Sequence, residues 1–327
     1  MVKIIVTQSG SQQAIARLRE QAKGDEVVVV DREGRPLDGG DLSDAEVFMR
    51  SWSPPTVTET VMKQAPRLKW MHTPSAGLDQ VLFPALVESD IVLTNSSGVH
   101  AMPISEWVIL YVLAAAKRLP ELLAAQRERR WAQDLKLQEL TDKTLLILGY
   151  GAIGREVAKR ALPFGMKVIA ARSGSKGKDD ERQAGVEIVY GSEAWRGVLP
   201  RADFVVVSLP LTEQTRGVVN AAAFTALKPT AWFINIARGE IADEDALLRA
   251  LQEGRIAGAG LDAFGEEPLP SNHPLYSLPE SKVLLTPHIS WNSPQVGERT
   301  LDLFLENLRR YKSGEPLLNV VDKRAGY

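Results

Sequence analysis

The chain has no cysteine among its 327 residues, which removes disulfides, thiolate nucleophiles, iron–sulfur clusters and cysteine-bound zinc together. The compartment stays open on that count, because a disulfide-free protein can be exported. Excess positive charge is also missing. Lys and Arg number 39 against 41 Asp and Glu, a net charge of −2, so there is no footprint for nucleic acid or an anionic membrane. Long apolar runs are absent too. The longest, Trp107 to Ala116, is about half of the ~20 residues that a membrane crossing needs and reads as a buried helix. The opening MVKIIVTQSG has one Lys and a short apolar stretch, without the ordered charged, apolar and small-residue regions of a secretory signal. It reads as the first strand of a cytoplasmic protein. No internal repeat or low-complexity linker interrupts the chain. With 44% hydrophobic and 24% charged residues it has an ordinary globular composition, and at ~150 residues per domain its length suggests two domains.

What is present is alternation. Short β-branched runs (VKIIV, EVVVV, AEVFMRSW, LKWMHT, IVLTN) are separated by helix-like segments, the pattern of a parallel α/β sheet. A long helical stretch is expected from about Pro103 to about Arg130, with Pro120 bending or splitting it. A second alternating series starts at Thr144: TLLIL, MKVIAA, EIVY, ADFVVVSL, AWFINIA, IAGAGLDAF and KVLLTPH. A last helix, from about Gln295 to Ser313, follows the second sheet and is expected to return to the first domain. The expected fold is therefore α/β, with two doubly wound parallel-sheet domains.

After TLLIL, the residues Gly149, Tyr150, Gly151, Ala152, Ile153 and Gly154 spell G-Y-G-A-I-G. Between a strand and a helix, the first Gly permits a tight turn, the second lets the backbone approach a pyrophosphate, and the third lets helix and strand pack. At the end of the next strand, an NAD-selective site usually carries Asp or Glu for the ribose hydroxyl. Here Arg172 and Ser173 occupy that place, with Lys176 and Lys178 close behind. A 2′-phosphate would suit them, and a solvated basic loop is the alternative.

Three polar residues stand just past the ends of three expected strands: Arg238, Glu267 and His288. Ligands of doubly wound sheets bind there. Arg pairs with a carboxylate in a planar fork, His exchanges a proton near neutrality, and a Glu on the other ring nitrogen would orient the ring and favour its charged form. No metal site is expected.

These residues resemble the D-isomer-specific 2-hydroxyacid dehydrogenases along nearly the whole chain. The likeness rests on GYGAIG, SLPLTEQT from Ser208, NIARGE from Asn235, GLDAFGEEPLP from Gly260 and TPHIS from Thr286. It implies a flavodoxin-like substrate domain made of residues 1–98 and 291–327, a Rossmann cofactor domain over 99–290 inserted between them, an active site in the cleft, and a homodimer built on the long helical region. Carried over, Arg238 is similar to the substrate-binding arginine, His288 to the proton donor and Glu267 to its partner. Asp262 is similar to the aspartate that meets the nicotinamide carboxamide, and Ser208, Leu209 and Pro210 to the loop beneath adenine and ribose. Ala76 and Gly77 resemble the loop whose amides hold the substrate carboxylate. Trp52 stands where the family lets a side chain meet the substrate, unless it packs into the core.

Several departures narrow the choice. Glu267 stands where formate dehydrogenases carry Gln, and Ala76 where phosphite dehydrogenase carries Lys. Ser290 and Trp291 resemble the glycerate and hydroxypyruvate enzymes, which places Trp291 at the substrate. His72, His100 and His273 match no catalytic position and are expected to be structural. The resulting expectation is an NADPH-dependent reductase, with NAD as the alternative cofactor, acting on a small 2-oxo acid of the glyoxylate or hydroxypyruvate type. Its rivals are reduction of larger or branched 2-oxo acids and a non-catalytic dinucleotide-sensing corepressor. Trp131 closes the helical region with a ring suited to an interface, and in related hydroxypyruvate reductases a Trp of this region reaches the partner's site.

Overall fold

The computed structural model describes residues 1–8, 12–174 and 184–326. The chain divides into two compact units, Met1–His100 with Ser293–Tyr327, and Ala101–Asn292. In the first unit, β1 (Lys3–Thr7), β2 (Glu26–Val30), β3 (Val47–Met49), β4 (Trp70–Thr73) and β5 (Val92–Asn95) form a parallel sheet in the order β2-β1-β3-β4-β5. Helices α1 (Gln12–Gln21), α2 (Pro55–Gln64) and α3 (Pro84–Glu88) connect its strands. This is the flavodoxin-like order, with its switch point between β1 and β3. The near-continuous Val, Ile and Phe runs of these strands follow from a sheet covered on both faces. Ile4, Ile5, Val47 and Phe48 are fully buried.

The second unit opens with α4 (Ala101–Ala116) and α5 (Leu119–Arg127). The helical stretch expected over about 103–130, bent or split at Pro120, is split into these two helices. The break lies at Arg118, whose φ is 49°, while Pro120 sits in the first turn of α5. There its missing N–H costs no bond. The sheet runs β12 (Val283–Leu285), β11 (Gly258–Leu261), β10 (Trp232–Asn235), β9 (Phe204–Val207), β6 (Thr144–Leu148), β7 (Lys167–Arg172), β8 (Val186–Tyr190), all parallel. Helices α6 (Ala152–Ala161), α7 (Ala221–Ala226) and α8 (Glu244–Gln252) belong to it. The strand order reverses between β6 and β9, and that is where a dinucleotide sits in such a sheet. Asp243 caps α8 by accepting from the Ala246 amide at 2.9 Å, with Glu244 and Asp245 favourable in the first turn.

The chain then returns to the first unit as α9 (Pro294–Ser313), capped by Ser293 and ended by Gly314 at φ 72°. Its apolar stripe packs on β4. Phe304 stacks on Trp70 with ring centroids 5.0 Å apart, and Tyr311 donates to Glu46 at 2.6 Å. No helix of the described residues is long and apolar enough to cross a membrane.

Candidate active site

The glycine turn after β6 fits a dinucleotide by what it leaves open. A Cβ on Gly149, whose φ is 98°, would stand 2.7 Å from the Ser208 carbonyl oxygen, and one on Gly154 would stand 2.3 Å from that of Gly149. Both positions are closed to any side chain. A Cβ on Gly151 would meet nothing within 4 Å. Gly151 is also the N-cap of α6 and has no side-chain cap, so no side chain at that position occupies the first-turn amides, those of Ala152 and Ile153 among them. A helix N-terminus of this kind favours a phosphate. Ser208 bridges the switch point by donating from Oγ to the Gly149 carbonyl at 2.7 Å, and Leu209 and Pro210 continue from it. Arg172 ends β7, half-buried, followed by exposed Ser173. Lys176 and Lys178 lie outside the described residues.

Arg238, Glu267 and His288 follow β10, β11 and β12 in turn. The Asn235 side chain braces the first loop, accepting from the Ala237 amide at 3.1 Å and donating to the Arg238 carbonyl at 2.8 Å. Gly239 brings this loop against the next, because a Cβ there would lie 2.0 Å from the Phe264 carbonyl carbon and 2.2 Å from the Gly265 nitrogen. Glu267 accepts from the Phe264 amide at 3.0 Å on Oε1 and meets His288 Nδ1 at 2.8 Å on Oε2. Burial pushes the Glu267 carboxyl up, but the His288 and Phe264 hydrogen bonds and the charge of Arg238 outweigh it and hold the group below the usual range. An ionised Glu267 takes Nδ1–H, which leaves Nε2 as the ring atom able to pass a proton outward.

His288 holds this pose at φ 49°, a left-handed conformation that costs a non-glycine residue ~1–3 kcal/mol and persists only where its surroundings impose it. Asp262 supplies much of that constraint. It is fully buried and accepts from Thr286 Oγ1 at 2.5 Å, the Ile289 amide at 2.9 Å and the Ser290 amide at 3.0 Å. Tyr111 of α4 bonds the same Thr286 hydroxyl at 2.5 Å. Trp291 packs against the core around α4 and donates from its indole to the His288 carbonyl at 2.8 Å.

In the first unit, Trp52 follows β3 at the switch point and is 60% exposed, so it does not turn into the core. Its ring lies 6.4 Å from that of His100. The loop with Ala76 and Gly77 follows β4. Its Pro74, Ser75 and Ala76 carbonyls accept from His100 Nε2 at 2.9 Å, the Ser96 amide at 3.2 Å and Asn95 Nδ2 at 3.0 Å.

The sequence profile of the D-isomer specific 2-hydroxyacid dehydrogenase NAD binding domain matches residues 109–290. The chain belongs to this family. It is 34% identical over 268 residues to the glyoxylate reductase of Korarchaeum cryptofilum, covering 80% of this chain and 79% of that protein. Among solved structures it matches a D-isomer specific 2-hydroxyacid dehydrogenase from Xanthobacter autotrophicus in complex with NADPH and MES. The TM-score is 0.85 at 32% identity, with 100% of each chain covered. It also matches the NADPH-dependent glyoxylate/hydroxypyruvate reductase of Sinorhizobium meliloti in complex with NADP and sulfate, at TM-score 0.84 and 30% identity over 100% of each chain. The chain is therefore an oxidoreductase of this family with an NAD-binding domain.

The structure also places Glu244 and Arg50, which sequence reasoning passed over, and His72 and His273, which it read as structural. Glu244 and His273 form a bracket under the Glu267 loop, Glu244 accepting from His273 Nε2 at 2.9 Å and from the Gly265 amide at 3.3 Å. Arg50, 5% exposed at the end of β3, donates to the Ser53 carbonyl, and its Nε has no partner among the described residues. Burial pulls its guanidinium down to about 10. His72 is sealed between Thr94 and Ser96, and burial pushes it down to about 3, so it stays neutral. Among the described residues no group of three or more His, Asp or Glu side chains could hold a metal ion.

Proposed function

We propose that this dehydrogenase reduces small 2-oxo acids at C2, glyoxylate and hydroxypyruvate foremost, to the D-2-hydroxy acid, and that it prefers NADPH. The observation that carries the reading is the ionised Glu267 bound to His288 Nδ1 beside Arg238. It is a base-oriented proton donor next to a carboxylate receptor, at the strand ends of a dinucleotide sheet. When bound, the reduced nicotinamide supplies the hydride. In this reading Arg238 and the amides of Ala76 and Gly77 hold the carboxylate, and His288 Nε2 gives its proton to the C2 oxygen. Three of the ~four lone-pair sites of the Asp262 carboxylate are in use, and the remaining one is proposed for the nicotinamide carboxamide. Ser208, Leu209 and Pro210 are assigned to adenine and ribose.

The exposed ring of Trp52, together with Trp291, is proposed as the wall beyond C2, where overpacking by a branched substrate costs ~1–3 kcal/mol. The test is NADPH oxidation across a panel of 2-oxo acids. Glyoxylate and hydroxypyruvate are expected to exceed 2-oxoisocaproate and phenylpyruvate in kcat/KM, with D-glycerate as the hydroxypyruvate product. A branched or aromatic acid reduced fastest overturns the small-substrate reading. No turnover with any of them favours a dinucleotide-sensing binding protein.

NADPH preference rests on Arg172, which ends β7, and on Ser173 just after it, where an acidic residue would bind a bare ribose. Losing a charge-assisted contact to a 2′-phosphate costs ~1.5–3 kcal/mol, or about one to two decades in KM. Arg172→Ala is expected to raise KM by that factor for NADPH and leave NADH nearly unchanged. Equal weakening of both, measured by initial rates, removes Arg172 from cofactor selection.

A homodimer is proposed on the region of α4, α5 and the segment that follows them. Leu110 of α4, Leu119 and Leu123 of α5 and Trp131 beyond them are exposed by 45%, 38%, 46% and 88%, apolar side chains that a partner subunit would cover. Light scattering is expected to give twice the chain mass, and a monomer at micromolar concentration rejects the assignment.

A further inference from the structure

Each trans peptide plane points its C=O and the following N–H in opposite directions, so a partner that fixes a carbonyl also aims the next amide. In the loop after β4, the Pro74, Ser75 and Ala76 carbonyls are all held by one segment. The donors are His100 Nε2 at 2.9 Å, the Ser96 amide at 3.2 Å and Asn95 Nδ2 at 3.0 Å. The amides aimed away from that segment are those of Ser75, Ala76 and Gly77, and none of the three has an acceptor among the described residues. The holding segment is itself anchored. Asn95 Oδ1 accepts from the Ser97 amide at 3.1 Å, and Asn319 donates to the Asn95 carbonyl at 3.2 Å and the Ser97 carbonyl at 2.9 Å. His100 is 5% exposed, and burial holds its ring below the usual histidine range. It is therefore neutral, and donation to Pro74 puts its proton on Nε2.

We infer that His100 and Asn95 are positioning residues for substrate. They aim a row of backbone amides at the carboxylate of a 2-oxo acid, and His100 touches no reacting atom. The inference rests on the carboxylate reading of Ala76 and Gly77 given above. It assigns His100 work that a residue serving only the core would not have, because its hydrogen bond to the Pro74 carbonyl sets the start of the row.

The test compares His100→Gln, whose amide nitrogen can reproduce the Nε2 donor, with His100→Phe, which keeps a ring beside Trp52 but cannot donate. KM and kcat for glyoxylate are read together with oxamate affinity by calorimetry in the presence of NADPH, and NADPH affinity serves as the check on folding. His100→Phe is expected to raise KM for glyoxylate and Kd for oxamate about tenfold, the scale of one misplaced hydrogen bond. Little change is expected in kcat or NADPH affinity, and His100→Gln is expected to stay near the wild type. If both variants match the wild type, or if His100→Gln fails as badly as His100→Phe, the inference is overturned while the carboxylate reading stands. If the wild type neither reduces glyoxylate nor binds oxamate, the carboxylate reading fails and takes the inference with it.

Should His100→Phe lose its NADPH affinity, Asn95→Asp decides. It keeps the acceptor for Ser97 but presents an acceptor to the Ala76 carbonyl. A misaimed peptide then weakens oxamate to the same extent at low and high salt, whereas a weakening that salt abolishes is mere charge repulsion and rejects the inference.

Discussion

His288→Ala is expected to lower kcat for glyoxylate by about 10²- to 10⁴-fold, the usual worth of a positioned general acid, while NADPH affinity stays unchanged. In the proposed reaction the residue gives a proton from Nε2, and it contributes nothing to the glycine turn after β6, so cofactor titration separates lost chemistry from lost folding. Near-native turnover would remove His288 from the mechanism. Glu267→Gln refines the same prediction. In the wild type the carboxylate, held ionised by the ring and by Arg238, meets His288 Nδ1 at 2.8 Å. A neutral amide oxygen accepts from Nδ1–H more weakly than a carboxylate does. In Glu267→Gln kcat for glyoxylate is therefore expected to fall while NADPH affinity stays unchanged. An unchanged kcat would confine Glu267 to a structural role.

Gly239→Ala is the second large effect, and it needs no assumption about substrate. Its Cβ would enter within 2.0 Å of the Phe264 carbonyl carbon and 2.2 Å of the Gly265 nitrogen. Both are main-chain atoms that cannot swing aside as a side-chain tip can. The Arg238 loop and the Glu267 loop must then separate. Overpacking costs ~1–3 kcal/mol and sometimes more, and at ~3 kcal/mol the melting midpoint of a unit this size falls by roughly 6–12 °C. Activity should fall further than stability alone explains, since Arg238 and Glu267 move apart. Gly197→Ala is the control, because its Cβ would meet nothing within 4 Å. A Gly239→Ala protein with wild-type melting and turnover would show that the two loops are not locked together.

The strands were legible in the sequence because parallel sheets buried on both faces demand uninterrupted β-branched runs, and TLLIL or FVVV has no other reading between turn residues. The helices were less so. The α7 segment AAAFTA is short and lacks amphipathic contrast, and its signal was Asn220, whose side chain accepts from the Ala223 amide as a cap. The break between α4 and α5 was read at Pro120, although the residue that turns the chain is Arg118 at φ 49°. Positive φ at an Arg has no signature in one sequence.

In the site, Arg238, Glu267 and His288 were legible as a coincidence of strand ends. The grip of Asp262 on Ile289 and Ser290 was not, nor the contact of Gly239 with the Phe264 backbone. Both depend on which loops stand side by side, and the order β12-β11-β10 decides that. His100 looked structural for the same reason: its partner, the Pro74 carbonyl, carries no side-chain identity.

The stacking of Phe304 on Trp70 bears on how the protein is made. Residues 101–292 are one uninterrupted stretch, whereas the first unit is closed only by α9, so its β4 core waits for a helix separated from it by the whole second unit. Closing a loop of that length in an unfolded chain is entropically slow. Compaction of 101–292 shortens the effective path, and Arg299 donating to the Val99 carbonyl at 3.4 Å pins together the two segments where the chain leaves and re-enters. On a ribosome the amino-terminal unit, although synthesised first, is therefore the last to finish. Until then the largest aromatic of its core, Trp70, is left to whatever holds nascent chains apart.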